Sequence, residues 1–251
     1  MKGNGFRITH HNYKKQNIII VKATKGKIFI EMFLRILEFK EWHKVEKGLL
    51  NHDEYVKWHK LISGESYDEL FYGLYVPGPL LREFYRKYSN SLNAMEQILY
   101  DEIFTKMKVS YDEARTPKFS GQVQLLVINE ALCHKDKYDT RHVFLHEFSH
   151  MLYMCNKQYK NTVNEAFLRL NESTITELIT EYVNTRRMPA MSLGDVGLVT
   201  DEWAAQIAGI NANMPVTDFK ASKKIEHMKT VFAELLVEYN INAEAICRKG
   251  R

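Results

Sequence analysis

The stretch Arg141-His142-Val143-Phe144-Leu145-His146-Glu147-Phe148-Ser149-His150-Met151-Leu152-Tyr153 decides how this chain is read. It holds neither Gly nor Pro, and its apolar residues recur at helical spacing, so a helix is expected over about 140–155. At about 100° per residue, His146 and His150 lie one turn apart on one face. Phe144, Phe148, Met151 and Cys155 gather on the other side, about 140° to 200° away. Two imidazoles at positions i and i+4 can hold one metal ion, and Glu147 then sits where a carboxylate reaches a water on that ion. A small ligand set with one position left for water is the mark of catalytic zinc. His146 and His150 are therefore the expected metal ligands, and Glu147 is the expected catalytic base.

Such a site needs a third ligand. An extended HExxHxxGxxH pattern is excluded, because position 153 is Tyr and position 156 is Asn. The later segment Leu170-Asn-Glu-Ser-Thr-Ile-Thr-Glu-Leu-Ile-Thr-Glu-Tyr182 offers Glu172, Glu177 and Glu181. Read as a helix over about 171–186, it places Glu177 and Glu181 on one polar stripe, opposite Ile175, Leu178, Ile179 and Tyr182. Glu172 falls near 220° from Glu177 and follows Asn171, a good N-cap. It reads as a first-turn acid favoured by the helix dipole. The wheel sets Glu177 and Glu181 against Glu172, and leaves the choice of third ligand among them open.

His146-Glu-Phe-Ser-His150 followed by Glu177-Leu-Ile-Thr-Glu181-Tyr182 resembles the gluzincin zinc metallopeptidases, the broad group that includes thermolysin and anthrax lethal factor. The resemblance covers roughly residues 120–186. It implies a zincin-like core with Zn2+ as cofactor and Glu177 as third ligand. Glu181 would then be the carboxylate that steadies a ligand histidine by hydrogen bond. It also implies hydrolysis of peptide bonds, by an endopeptidase of restricted specificity, on a protein or peptide substrate. In that group a Tyr or His often steadies the oxyanion, and Tyr153, Tyr159, Tyr182 and His227 are the candidates. Two other readings use the same residues: a binding or regulatory protein on a zincin scaffold without turnover, and a hydrolase of a non-peptide amide.

Away from this stretch the chain is expected to be α+β and mainly helical, with a small β-sheet. Ile18–Val21 and Gln122–Ile128 are the expected strands. The second is either an edge that pairs with substrate or an interior strand. Helices are expected near 27–43, 80–88, 92–107 and 219–239, with a break at Val76-Pro77-Gly78-Pro79 and a loop over 188–202. Residues 1–110 are expected to form a mostly helical N-terminal region and 111–251 the catalytic domain, with one continuous domain as the alternative. Tyr67–Tyr75 is an apolar-aromatic stretch, and its Phe71–Tyr75 part with Pro77-Gly78-Pro79 is expected to be core packing plus a turn, with a substrate rim as the alternative.

Composition narrows the partners. Of 251 residues, 45% are hydrophobic and 26% charged, and 35 Lys and Arg oppose 31 Asp and Glu for a net charge of +4. That excess is too small and too dispersed for a nucleic-acid binder. The apolar runs fall short of the roughly 18 residues of a membrane span. The three cysteines, Cys133, Cys155 and Cys247, have no CxxC spacing and give neither a disulfide framework nor a thiolate zinc site. With no secretory signal visible, a cytoplasmic location is expected, and export by a dedicated secretion apparatus remains compatible.

Overall fold

The computed structural model describes residues 5–13, 16–42, 57, 71–106, 110–111, 117–118, 122–184, 196–209 and 219–247. The protein is mainly helical with a small mixed sheet, an α+β arrangement. Its contacts divide it into two compact units, Met1–Asp139 and Thr140–Arg251. The division falls after the strand at 122–129, so that strand belongs with the first unit.

The first unit is built on four strands: β1 (Phe6–Tyr13), β2 (Gln16–Ala23), β3 (Gly73–Pro77) and β6 (Gln122–Asn129). Their order is β1-β2-β6-β3. β1 and β2 are antiparallel, from Phe6 opposite Ala23 to Tyr13 opposite Gln16. β2 runs parallel to β6, with Ile18 opposite Gln124 and Val21 opposite Val127. β3 closes the sheet antiparallel to β6. Two short strands, β4 (Ser110–Tyr111) and β5 (Pro117–Lys118), pair separately.

Position in the sheet explains the sequence of each strand. β2 and β6 are the interior strands, and Ile18-Ile19-Ile20-Val21 and Leu125-Leu126-Val127-Ile128 are buried on both faces. Strands covered on both sides read as continuous aliphatic runs rather than alternating ones. β1 is an edge, and its Thr9-His10-His11-Asn12 run is more polar and partly exposed. β6 is flanked by β2 and β3, so the expectation of an edge strand that pairs with substrate does not hold for it.

Helices α1 (Gly26–Trp42), α2 (Gly78–Tyr88) and α3 (Ala94–Lys106) complete this core. α1 inserts Phe29, Met32, Phe33, Ile36 and Leu37, spaced as one helical stripe. The chain turns from β3 into α2 at Pro77-Gly78, with Pro79 in the first turn, where its missing N–H costs nothing. Gly78 passes so near β6 that a Cβ there would meet the Val123 carbonyl. α3 opens with a capping box: Asn93 Oδ1 accepts from the Glu96 N–H at 2.8 Å, and Glu96 Oε2 accepts from the Asn93 N–H at 2.9 Å. The buried Glu96 also meets Arg35 at 2.8 Å. Short α4 (Glu130–Lys135) follows β6, capped by Asn129. The aromatic stretch expected over 67–75 enters the described residues at Phe71 and continues into β3, with Leu74, Tyr75 and Val76 in the core.

The second unit is all helical among the described residues: α5 (Thr140–Cys155), α6 (Lys157–Phe167), α7 (Glu172–Asn184), α8 (Val196–Gly209), α9 (Phe219–Glu238) and α10 (Ala243–Cys247). α5 lies along α8, while α6 packs on α9. Between them is an aromatic core. Phe144 and Phe148 stack at 5.8 Å, and Phe148 meets Phe232 and Tyr239 edge-on. Asn156 breaks the chain between α5 and α6, its side chain accepting from the Tyr159 N–H at 2.9 Å. No helix among the described residues is long and apolar enough to cross a membrane.

Candidate metal centre

α5 is the expected helix, but more of it is buried than its apolar stripe requires. Phe144, Phe148, Met151 and Leu152 are inside, and so are Val143, Leu145 and Tyr153. The histidine face is not left to solvent either, because α8 covers it. Close approach is possible because α8 turns small residues inward: Ala204 and Ala205 are fully buried. At Gly209 a Cβ would stand 2.8 Å from the His142 carbonyl oxygen and 2.9 Å from His146 Cβ. Both are closer than real Cβ contacts allow, so glycine is required there.

This packing delivers a carboxylate to the two histidines. His146, His150 and Glu202 each offer a ligand atom, and the three atoms lie within 4.8 Å of one another. His146 Nε2 is 3.2 Å from His150 Nε2. Glu202 Oε2 is 3.3 Å from His150 Nε2, and Glu202 Oε1 is 3.6 Å from His146 Nε2. Bonds of 2.0–2.1 Å at tetrahedral angles separate neighbouring ligand atoms by about 3.3 Å. The two histidine nitrogens are spaced as two ligands of one ion would be, and each meets a different oxygen of Glu202. Two imidazoles and one carboxylate are also the donor set such an ion uses when a position stays open.

Further contacts fix the donors. Asp201 Oδ1 lies 3.0 Å from His150 Nδ1, an ion-pair contact on the side of the ring away from Nε2, which meets His146 and Glu202. Gln206, one turn beyond Glu202, donates to Glu202 Oε1 at 3.1 Å. The rings of His146 and His150 stand nearly perpendicular, 85° apart. Glu147 is 8% exposed and acts electrostatically on His146.

Charge separates the two histidines. Burial pushes His146 below its ordinary value, with the His150 charge adding to the effect. Burial would lower His150 as well, but the charge and hydrogen bond of Asp201, with those of Glu202, outweigh it and hold His150 well above. Burial works to raise Glu202, and the two imidazoles with the Gln206 hydrogen bond hold it far below the usual carboxylate range instead.

The remaining expected residues fall elsewhere. α7 begins where the Asn171 cap places it, with Asn171 Oδ1 accepting from the Thr174 N–H at 2.8 Å. Its phase is the expected one, since Leu178 is buried while Glu172 and Glu177 are exposed. Neither Glu177 nor Glu172 belongs to the group that meets the histidines. Among the described residues the carboxylate that meets the two histidines is Glu202. The side chains of Glu181 and Tyr182 lie outside the described residues. Tyr159 is fully buried, with its hydroxyl 2.8 Å from Ser149 Oγ, and burial raises it above its ordinary value. Tyr153 donates to Asn164 Oδ1 at 2.9 Å. Both hydroxyls thus bond within the packing of α5 and α6. His227 is exposed on α9.

Glu202 was hidden by the Pro, Gly and Ser of 188–202, which read as a loop. α8 begins at Val196 and takes Gly197 into its first turn. A signal was available nonetheless. In Val196–Gly209 the only charged residues are Asp201 and Glu202, set among Val199, Trp203, Ala204 and Ala205. An acid pair in an otherwise uncharged, apolar helix needs a partner indoors. Comparison of the chain with protein-family models, with curated proteins and with solved structures finds no match in any of the three.

Proposed function

We propose that the protein is a zinc-dependent metallopeptidase of the zincin type, with the metal held by His146, His150 and Glu202. One observation carries this reading: one ligand atom each from His146, His150 and Glu202 lie within 4.8 Å of one another, at a helix bearing HExxH. Zinc in such a site supplies an acidified water, its pKa lowered from 15.7 toward about 7, and a Lewis acid for the scissile carbonyl.

The chain's own residues supply the rest. Glu147 takes a proton from the attacking water on its carboxylate and passes it to the leaving amide nitrogen. Its near-complete burial keeps bulk water from competing for that proton. Asp201 stands 3.0 Å from His150 Nδ1, where its charge favours a proton on Nδ1 and leaves Nε2 for the site. Gln206 restrains one oxygen of Glu202. The pattern Glu202-x-x-x-Gln206 repeats the helical spacing expected of the gluzincin second helix, with an amide where the acid would stand.

The reading is tested with the full chain loaded with zinc and offered a library of quenched peptides. Cleavage that is lost on chelation, restored by zinc and absent in Glu147→Gln supports it. No cleavage of any peptide by a protein carrying one zinc per chain would contradict it.

A further inference from the structure

Glu202 brings two oxygens to the two histidines, and its surroundings treat them differently. Oε2 lies 3.3 Å from His150 Nε2, and Oε1 lies 3.6 Å from His146 Nε2. Oε1 also accepts from Gln206 Nε2 at 3.1 Å. Glu202 and Gln206 stand four apart on α8, so this bond spans one turn of a single helix and needs no adjustment elsewhere. Trp203, Ala204 and Ala205, between them in the chain, are all buried and hold that turn in place. The Glu202 side chain is only 14% exposed, and in so dry a setting a hydrogen bond weighs more than it would in water. An ionised carboxylate only accepts, so the Gln206 amide presents its NH2 to Oε1 and not its carbonyl. A second acid at 206 would repel Glu202 instead.

We propose that Gln206 is a positioning residue that limits Glu202 to one oxygen on the metal, Oε2, and so keeps one coordination position open for water. The proposal rests on the metal centre of the peptidase reading and concerns how that centre is filled. The contacts with the histidine nitrogens, at 3.3 and 3.6 Å, scarcely distinguish the two oxygens. The amide does. It occupies a lone pair of Oε1 and draws on its charge, which leaves Oε2 the freer donor. The count of donors has a consequence. Two imidazoles and one oxygen make three ligands and leave the fourth position open, as a hydrolytic site requires. A second oxygen from Glu202 would take that position or crowd it. In this role Gln206 touches neither metal nor substrate and acts through Glu202 alone.

The test loads the full-length protein with Co2+ and reads its visible absorption, which is strong in four-coordinate sites and weaker once a further ligand is added. Gln206→Met keeps the length of the side chain and removes the donor. Gln206→Glu keeps the shape and also removes it. Gln206 is partly exposed, so either replacement should leave the metal-free thermal midpoint close to wild type. Wild type is expected to show the intense four-coordinate spectrum. Both variants should bind near one cobalt per chain with the band weakened severalfold, because the second oxygen of Glu202 joins the ion. X-ray absorption of the zinc-loaded proteins should then count one more oxygen neighbour in the variants. Like spectra in wild type and both variants, or a weak five-coordinate band in wild type, would overturn the proposal. So would a lowered metal-free midpoint with an unchanged spectrum, which would make Gln206 a packing residue only. Cobalt bound with like spectra overturns this proposal and leaves the metal centre standing, whereas no cobalt bound by wild type overturns both.

Discussion

Helices α7 and α8 both follow the histidine helix in the chain, and both carry carboxylates. In α7, Glu172 and Glu177 are exposed, and Thr176 and Thr180 bond back to the carbonyls of Glu172 and Thr176. In α8, Asp201 and Glu202 sit within a run where Val199, Thr200, Trp203, Ala204 and Ala205 are all buried. Hydrated acids on α7 cost nothing to keep. Acids on α8 lose their water, and that loss is offset only if cations or a metal take its place. His146 and His150 are the partners present, at 3.0–3.6 Å. The same residue type is thus solvated on one helix and buried against two histidines on the other, and burial of the neighbours decides which.

That contrast can be broken at several points, beginning with the largest effect. Glu147→Gln is expected to lower peptide turnover by about 10²–10⁴-fold with zinc content unchanged. Equal loss of zinc would move Glu147 from proton transfer to holding the ion. Asp201→Asn keeps the shape of the side chain and removes its charge, and should weaken zinc affinity by about 10–100-fold in a competition titration with a chelating dye. An unchanged affinity would show that His150 is held by the helix alone.

Gly209→Ala sharpens the comparison through packing alone. A Cβ at 2.9 Å from His146 Cβ must push α8 away from α5, at an expected cost of about 1–3 kcal/mol. The thermal midpoint of metal-free protein should fall accordingly. An unshifted midpoint would mean that the two helices approach less closely than this geometry requires. The smallest effect belongs to α7: Glu172→Gln should stay within about 0.5 kcal/mol of wild type in stability, with activity unaltered. A large effect there would show that α7 is not merely solvated.

Parts of this arrangement are plain in the sequence for physical reasons. HExxH within a helical pattern puts His146 and His150 together, because i and i+4 always share a face. The aliphatic runs at 18–21 and 122–128 announce strands, and the structure extends them to 16–23 and 122–129. Their place in the interior follows from continuous rather than alternating burial. The third carboxylate was not legible in the same way. A helical wheel shows which residues share a stripe, but not whether the stripe meets solvent or another helix. On α7 Leu178 is buried and Glu177 is exposed, as the wheel placed them. Glu202 lies far beyond His150 in the chain, so its approach depends on how α8 packs against α5. That depends in turn on small side chains such as Ala205 and on Gly209, which carry no chemical signal of their own.

The most direct test of the metal centre is the zinc content of purified full-length protein, with wild type beside Glu202→Ala and Glu177→Ala. The expected result is near one zinc per chain in wild type and in Glu177→Ala. In Glu202→Ala the loss of affinity should exceed the roughly 10–100-fold that follows removal of an outer partner. Full zinc in Glu202→Ala with loss in Glu177→Ala would contradict it, and would return the third ligand to α7.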